Sequence, residues 1–364
     1  MGDRTTLHRA GVLAHTDAAR AALLRPRAPG RLGEALRAEA AGLAAESAGR
    51  PELTARYGRG PTAGSPAAAA NDDTAAARPA VRAFTRTATL SPAAVGRDGV
   101  ASLLASGLDD AAVVSLAQLV AFVSYEVRVA VGEELLAGRT AGPPAAAGTG
   151  GPPPRGLTSA PLVWHPWIDP VDPEFLSGGQ REVLDRHATL STDSPYYRTL
   201  LHDPAALDHR THVYNALMYG RGGLARADRE LVTLVASRVN GCAYCAGVHA
   251  GKFARLTRDE RLTEEVLAHG SPALGHDPRR KAVARFAERL AAPAPRADAG
   301  DLAAVRSAGL TDEELRDLVH CAALFGWANR LMQTLGAPAP PGAPCPGVCC
   351  TGTSVATAPH DGMR

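Results

Sequence analysis

Apolar side chains return every three to four residues along most of this chain, and no run alternates with period two for long enough to make a sheet. In the second half Pro204 opens a helix that carries Leu207, Thr211, Tyr214 and Leu217 on one face. Arg226 to Val239 reads as the next, with Ala227, Leu231, Leu234 and Val235 toward the core and Glu230 beside that stripe. A helix carrying Cys242 and Cys245 follows, then helices over Thr263 to His269, Arg279 to Leu290, Ala299 to Ser307 and Thr311 to Leu335. In the first half the most apolar stretch is Ala111 to Tyr125, interrupted by Ser115 and Gln118 and followed by Glu126 and Arg128. It is too short and too polar to span a bilayer and reads as a buried helix. The expected fold class is all-α.

The pattern occurs twice. Phe84 to Val131 aligns without a gap on Phe286 to Gln333 at a constant offset of 202. Gly107 falls opposite Gly309, Leu108 opposite Leu310, Asp110 opposite Asp312, Leu116 opposite Leu318, Arg128 opposite Arg330, and Tyr125 opposite Trp327. Each copy runs Gly-Leu, a capping residue (Asp109 or Thr311), then a long apolar helix. Upstream, Leu32 to Tyr57 lies on Leu224 to His249 at an offset of 192, with Arg37 facing Arg229 and Gly49 facing Gly241. Offsets held over such lengths point to an internal duplication. The expected organisation is a helical domain over residues 1–137, a Gly/Pro/Ala-rich linker over 138–161, a second helical domain over 162–336 and a disordered tail over 337–364. A low-complexity run, Gly58 to Ala80, reads as a mobile loop inside the first domain. Trp164-His165-Pro166-Trp167 is expected to pin the linker onto the second domain.

Composition narrows the function classes. A length of 364 residues accommodates two domains. The net charge is only +2 and no basic run occurs, which argues against a nucleic-acid partner. Lys252 and Lys281 are the only lysines among many arginines, a bias that fits GC-rich coding better than a binding surface. Aromatics at 4% disfavour an all-β core. The N-terminus lacks a continuous apolar stretch, so the expectation is a cytoplasmic protein without a secretory leader and without a membrane partner. That compartment keeps thiols reduced, which suits a catalytic dithiol better than a structural disulfide.

Candidate chemistry concentrates between Asn240 and Ala254. Cys242 and Cys245 form a C-x-x-C pair, His249 stands four residues after the second cysteine, and Glu230 lies twelve residues before the first. A thiol must ionise to act as a nucleophile, and a free cysteine does so near pH 8.5 only. Asn240-Gly241 tolerates the left-handed backbone that ends one helix and starts another. The cysteines then sit in a first turn, where free N–H groups favour an anion. His249 shares a helix face with Cys245 and is placed to take its proton, and Glu230 to orient the imidazole. Opposite Glu230, Cys242, Cys245 and His249 the first half has Ala38, Arg50, Leu53 and Tyr57, so it lacks the relay. A zinc site needs four ligands; Cys242, Cys245 and His249 supply three, and His320 or Cys321 would have to arrive from another helix. Covalent haem attachment requires histidine where Ala246 stands. Flavin and nucleotide motifs are absent too, so no cofactor is expected and reducing power must come from a partner. His202, His209, His212 and His320 show no paired spacing and read as ordinary, and Cys345, Cys349 and Cys350 lack a histidine at ligand spacing.

The pattern Glu230-x11-Cys242-x2-Cys245-x3-His249 resembles the signature of AhpD-like alkylhydroperoxidases in the carboxymuconolactone decarboxylase superfamily. The flanking text from Arg229 to Leu256 and the segment LVHCAALFGWANRLMQTLG share the resemblance, and about Leu162 to Leu335 is similar to peroxidase-related members. The resemblance implies an all-α peroxidase-type thiol oxidoreductase, in which Cys245 attacks a hydroperoxide and Cys242 resolves the sulfenic acid. His249 and Glu230 would relay protons. An external thiol or a lipoylated protein would restore the dithiol, and relatives commonly form homo-oligomers such as trimers or larger rings. The first half would be a degenerate copy of the same domain. Ala243 and Tyr244 stand where some relatives carry a histidine between the cysteines. Two rivals remain: a lactone decarboxylase or isomerase, whose acid–base chemistry needs no thiols, and a non-enzymatic redox-sensing helical protein.

Overall fold

The computed structural model describes residues 4–58, 76–139 and 157–343. The protein is all-α. The first half contributes α1 (Arg4–Leu24), α2 (Glu34–Ser47), α3 (Arg78–Leu90), α4 (Gly96–Ala105) and α5 (Asp110–Leu136). The second begins with strand β1 (Val163–Pro166) and continues through α6 (Gly178–Arg186), α7 (Pro195–Leu200), α8 (Pro204–Tyr219) and α9 (Arg226–Val239). There follow α10 (Ala243–Thr257), α11 (Glu260–His269), α12 (Pro278–Ala291), α13 (Ala299–Ser307), α14 (Asp312–Thr334) and strand β2 (Gly336–Ala339).

Capping chemistry sets most of these starts. The Ala112 N–H donates to Asp109 at the head of α5, and the Ala206 N–H to Asp203 at the head of α8. Thr311 and Glu314 form a reciprocal capping box on α14, as do Asp298 and Asp301 on α13. Helix α11 starts three residues before the expected Thr263 because Asp259 accepts from the Leu262 N–H. Helix α3 starts at Arg78, so the last residues of the expected loop are helical; residues 59–75 lie outside the described residues.

Helix α5 runs on to Leu136, well past Tyr125, and by length and composition could cross a membrane, yet 94% of its apolar window is buried inside the protein. It packs along α14 so closely that a Cβ on Gly132 would lie 2.3 Å from Val319 Cγ1. The contacts across this seam are reciprocal. Tyr125 Oη is hydrogen-bonded to His320 Nδ1 at 2.9 Å, and Trp327 Nε1 donates to Gln118 Oε1 at 3.0 Å; each partner lies 202 residues from its counterpart. Arg128 donates to Ser124 O and to Ala291 O, at the end of α12; Arg330 donates to Gly326 O and to Thr89 O, at the end of α3. Each buried guanidinium thus satisfies carbonyls at a helix end in the opposite half, where a cation is favoured. That residue i meets j while the counterpart of j meets the counterpart of i is the contact pattern of a two-fold interface. The upstream elements also correspond, since α2 and α9 have the same length at an offset of 192 and both lead to a glycine in the left-handed region, Gly49 and Gly241.

The two strands pair antiparallel, Val163 with Ala339 and Pro166 with Gly336. Residues 337–339 are therefore structured, which corrects the expectation of a tail disordered from 337. Here the main chain is pinned by its pairing to β1, by the Trp167 N–H donating to Leu335 O, and by the Trp164 indole, whose Nε1 donates to Met332 O at 2.8 Å. Most of the expected linker (140–156) and the tail from 344 onward, with Cys345, Cys349 and Cys350, lie outside the described residues.

Candidate active site

Helices α9 and α10 pack against each other, joined by a three-residue turn that only a residue tolerant of positive φ closes without strain; Gly241 has φ 70°. Cys242 is the N-cap of α10 and Cys245 the third residue within it, both buried and both free thiols. The antiparallel return brings His249, two turns into α10, against Glu230 near the middle of α9.

Glu230 is fully buried. Its Oε2 accepts from His249 Nδ1 at 2.5 Å, and its Oε1 accepts from Arg226, whose guanidinium also donates to Met218 O and lies over the Tyr219 ring. Burial opposes ionisation of Glu230, but His249, Lys252 and Arg226 outweigh it and bring its pKa down to about 2. Burial pulls the His249 pKa below the ordinary histidine value despite Glu230. The resulting state is a carboxylate beside a neutral imidazole whose Nδ1–H is donated to it, leaving Nε2 as a base. The imidazole also stands edge-on to Phe325 at 4.6 Å between ring centres, which fixes its plane.

The two thiols are unequal. Hydrogen bonding from Cys242 pulls the Cys245 pKa down against burial, helped by the Asn329 carboxamide and the charge of Arg210. Burial, then the Cys245 sulfur, push Cys242 well above the ordinary cysteine value. Cys245 is thus the more readily ionised thiol of the pair, with Cys242 as its hydrogen-bonding neighbour. Around them stand Tyr196, Tyr197 and Tyr244, each electrostatically coupled to Cys245. Among the described residues no hydrogen bond joins His249 to either sulfur, so the expected direct proton transfer from Cys245 to His249 has no bond to travel in the resting dithiol. The groups acting on Cys245 come from Cys242, from α14 and from α8 instead.

Asn329 is the residue that motif reading missed. Fully buried on α14, it accepts from Asn240 Nδ2 and donates to Ser237 Oγ, both at 3.0 Å, while reaching the two sulfurs. Laid on the first half at the same offsets, Ser237, Asn240 and Asn329 fall opposite Ala45, Ala48 and Val127. The polar cradle is apolar there. Arg50, opposite Cys242, is spent on ion pairs with Glu52 and Glu134. Leu53 and Tyr57 are buried in the core.

His320 is held by Tyr125 on α5 rather than beside the cysteine pair, and the Cys321 thiol is pushed well up, by burial first and then by Asp317. His202 bonds Asp169 O. His209 and His212 are not the isolated residues their spacing implies: they gather with His15, His187 and Asp208 where α8 meets α1 and the end of α6.

No curated protein matches the chain. A solved structure of an uncharacterized peroxidase-related protein from Silicibacter sp. TM1040 is 22% identical over 54% of this chain and 96% of its own, at a TM-score of 0.37. Residues 204–289 match the Carboxymuconolactone decarboxylase family, from the start of α8 into α12, and that span includes Glu230, Cys242, Cys245 and His249. The part of the chain that holds the dithiol is accordingly similar to the carboxymuconolactone decarboxylase family.

Proposed function

We propose that the protein is a peroxidase-type thiol oxidoreductase of the alkylhydroperoxidase kind. The observation that supports this most is the unequal tendency of the buried pair to ionise, Cys245 lowered and Cys242 raised, as a nucleophile beside a resolving thiol would require. The Cys245 thiolate attacks the terminal oxygen of a hydroperoxide; the O–O bond breaks, Cys245 becomes a sulfenic acid, and the alkoxide takes a proton and leaves as the alcohol. The Cys242 thiol then displaces water from the sulfenic acid to close the Cys242–Cys245 disulfide. Two electrons and two protons from an external dithiol, such as a lipoylated protein, reopen it, and the donor leaves as a disulfide.

His249 and Glu230 serve the proton steps, with Nε2 as the exchanging atom. The first half acts as a second copy that has lost its chemistry and closes the core. A cytoplasmic location and a homo-oligomeric state belong to the same reading. Consumption of cumene hydroperoxide with a dithiol donor tests it. Wild type should turn over, while Cys245→Ser and Cys242→Ser should each lose at least a hundredfold. Equal rates in all three would overturn it, and lactone decarboxylation surviving in both variants would favour the acid–base reading.

A further inference from the structure

The histidine cluster lies apart from the dithiol in sequence, on elements of which only α8, through Arg210, also acts on Cys245. His187 is the C-cap of α6, Asp208, His209 and His212 lie on α8, and His15 lies on α1 in the other half. His187 Nε2 is 2.7 Å from Asp208 Oδ1, and His212 Nε2 is 3.7 Å from the same oxygen. The three ligand-type atoms lie within 4.8 Å of one another. His15 stacks on His212 with 3.9 Å between ring centres, and its Nδ1 is 3.2 Å from Nδ1 of His209.

We propose that His187, Asp208 and His212 bind one divalent transition-metal ion of the zinc type, at the junction of the two halves. Two imidazoles and one carboxylate are the donor set that zinc and its neighbours prefer over magnesium or calcium, and they leave a fourth position for water or for His209. Bonds of about 2.0–2.1 Å in a tetrahedron hold ligands about 3.3 Å apart. Reaching that spacing requires the His187–Asp208 pair to open and the Asp208–His212 pair to close, each by about half an ångström, well within side-chain rotation. Asp208 is already oriented for it: Arg186 Nη1 donates to Oδ2 at 2.5 Å, so Oδ1 is the oxygen turned to the imidazoles. His187 and Asp208 are buried and His212 is half-exposed, so an ion has a route in from one side.

Titration of the full-length chain with cobalt(II), followed by zinc displacement, tests the site. Wild type should bind one cobalt with the visible bands of a tetrahedral nitrogen–oxygen site and no sulfur-to-cobalt charge-transfer band, and zinc should displace it while magnesium should not. His212→Ala, a half-exposed position that leaves the fold intact by circular dichroism, should weaken binding at least tenfold, as should Asp208→Asn. The Cys242→Ser/Cys245→Ser double variant should bind as wild type does. Unchanged affinity in both cluster variants, a sulfur-dominated spectrum, or no binding in excess metal would overturn the proposal.

Discussion

Replacing Asn329 by alanine should raise the pKa of the Cys245 thiol by about one to two units. The carboxamide is one of two neutral groups that stabilise this thiolate by hydrogen bonding, and it is held in place by Asn240 and Ser237. A hydrogen bond to a charged group contributes about 1.5–3 kcal/mol, and one pKa unit corresponds to about 1.4 kcal/mol, which gives the shift. The rate of monobromobimane alkylation against pH reads it, on a Cys242→Ser background whose hydroxyl still donates to the sulfur. Mass spectrometry of the Cys245 peptide excludes the other thiols. Losing the Asn240 contact also costs about 1–3 kcal/mol of stability, so the folded fraction is checked first by circular dichroism. His249→Gln on the same background should shift the profile far less, since the ring is bonded to Glu230 and not to sulfur. Superimposed profiles for Asn329→Ala and its parent, or a larger shift from His249→Gln, would refute the reasoning.

Glu230 has a folded-state pKa of about 2 against an ordinary 4.5, so the stabilisation from its ionised form is present above pH 4.5 and fades as pH falls toward 2. The advantage of wild type over Glu230→Gln, on the order of 3 kcal/mol at pH 6, should therefore shrink in urea melts at pH 3, and a gap independent of pH would contradict the assignment. Arg128→Met and Arg330→Met should each lower stability by about 2 kcal/mol, because buried carbonyls at the ends of α12 and α3 lose their donors; midpoints unchanged in urea would show these bonds to be idle. Gly132→Ala should cost about 1–3 kcal/mol through the clash with Val319, and adding Val319→Ala should recover part of the loss; a neutral Gly132→Ala would mean that α5 and α14 are looser than described.

What sequence reading captured follows what is local. The bounds of Arg226–Val239 and Ala299–Ser307 agree with the apolar period, and the 202-residue offset already paired Arg128 with Arg330 and Tyr125 with Trp327. The Glu230–His249 contact was legible because one tight turn joins their helices. Asn329 was not, since its partners lie 89 and 92 residues away and a single asparagine leaves the period of α14 unaltered. A signal existed nonetheless: position by position, Ser237, Asn240 and Asn329 replace alanine or valine of the other half. The histidine cluster was hidden for the same reason, His15 and His209 being 194 residues apart. The β1–β2 ladder was hidden by length and composition, two four-residue strands of which one reads Gly-Ala-Pro-Ala.

The most direct test of the chemistry is to trap the oxidised nucleophile. Treating the Cys242→Ser variant with one equivalent of cumene hydroperoxide in the presence of dimedone should label Cys245 as its sulfenic-acid adduct, while wild type should instead yield the Cys242–Cys245 disulfide and Cys245→Ser should yield neither. A dimedone adduct on Cys242 in the Cys245→Ser variant, or free thiols at both positions in wild type after the peroxide is gone, would contradict the assignment of Cys245 as the attacking thiolate.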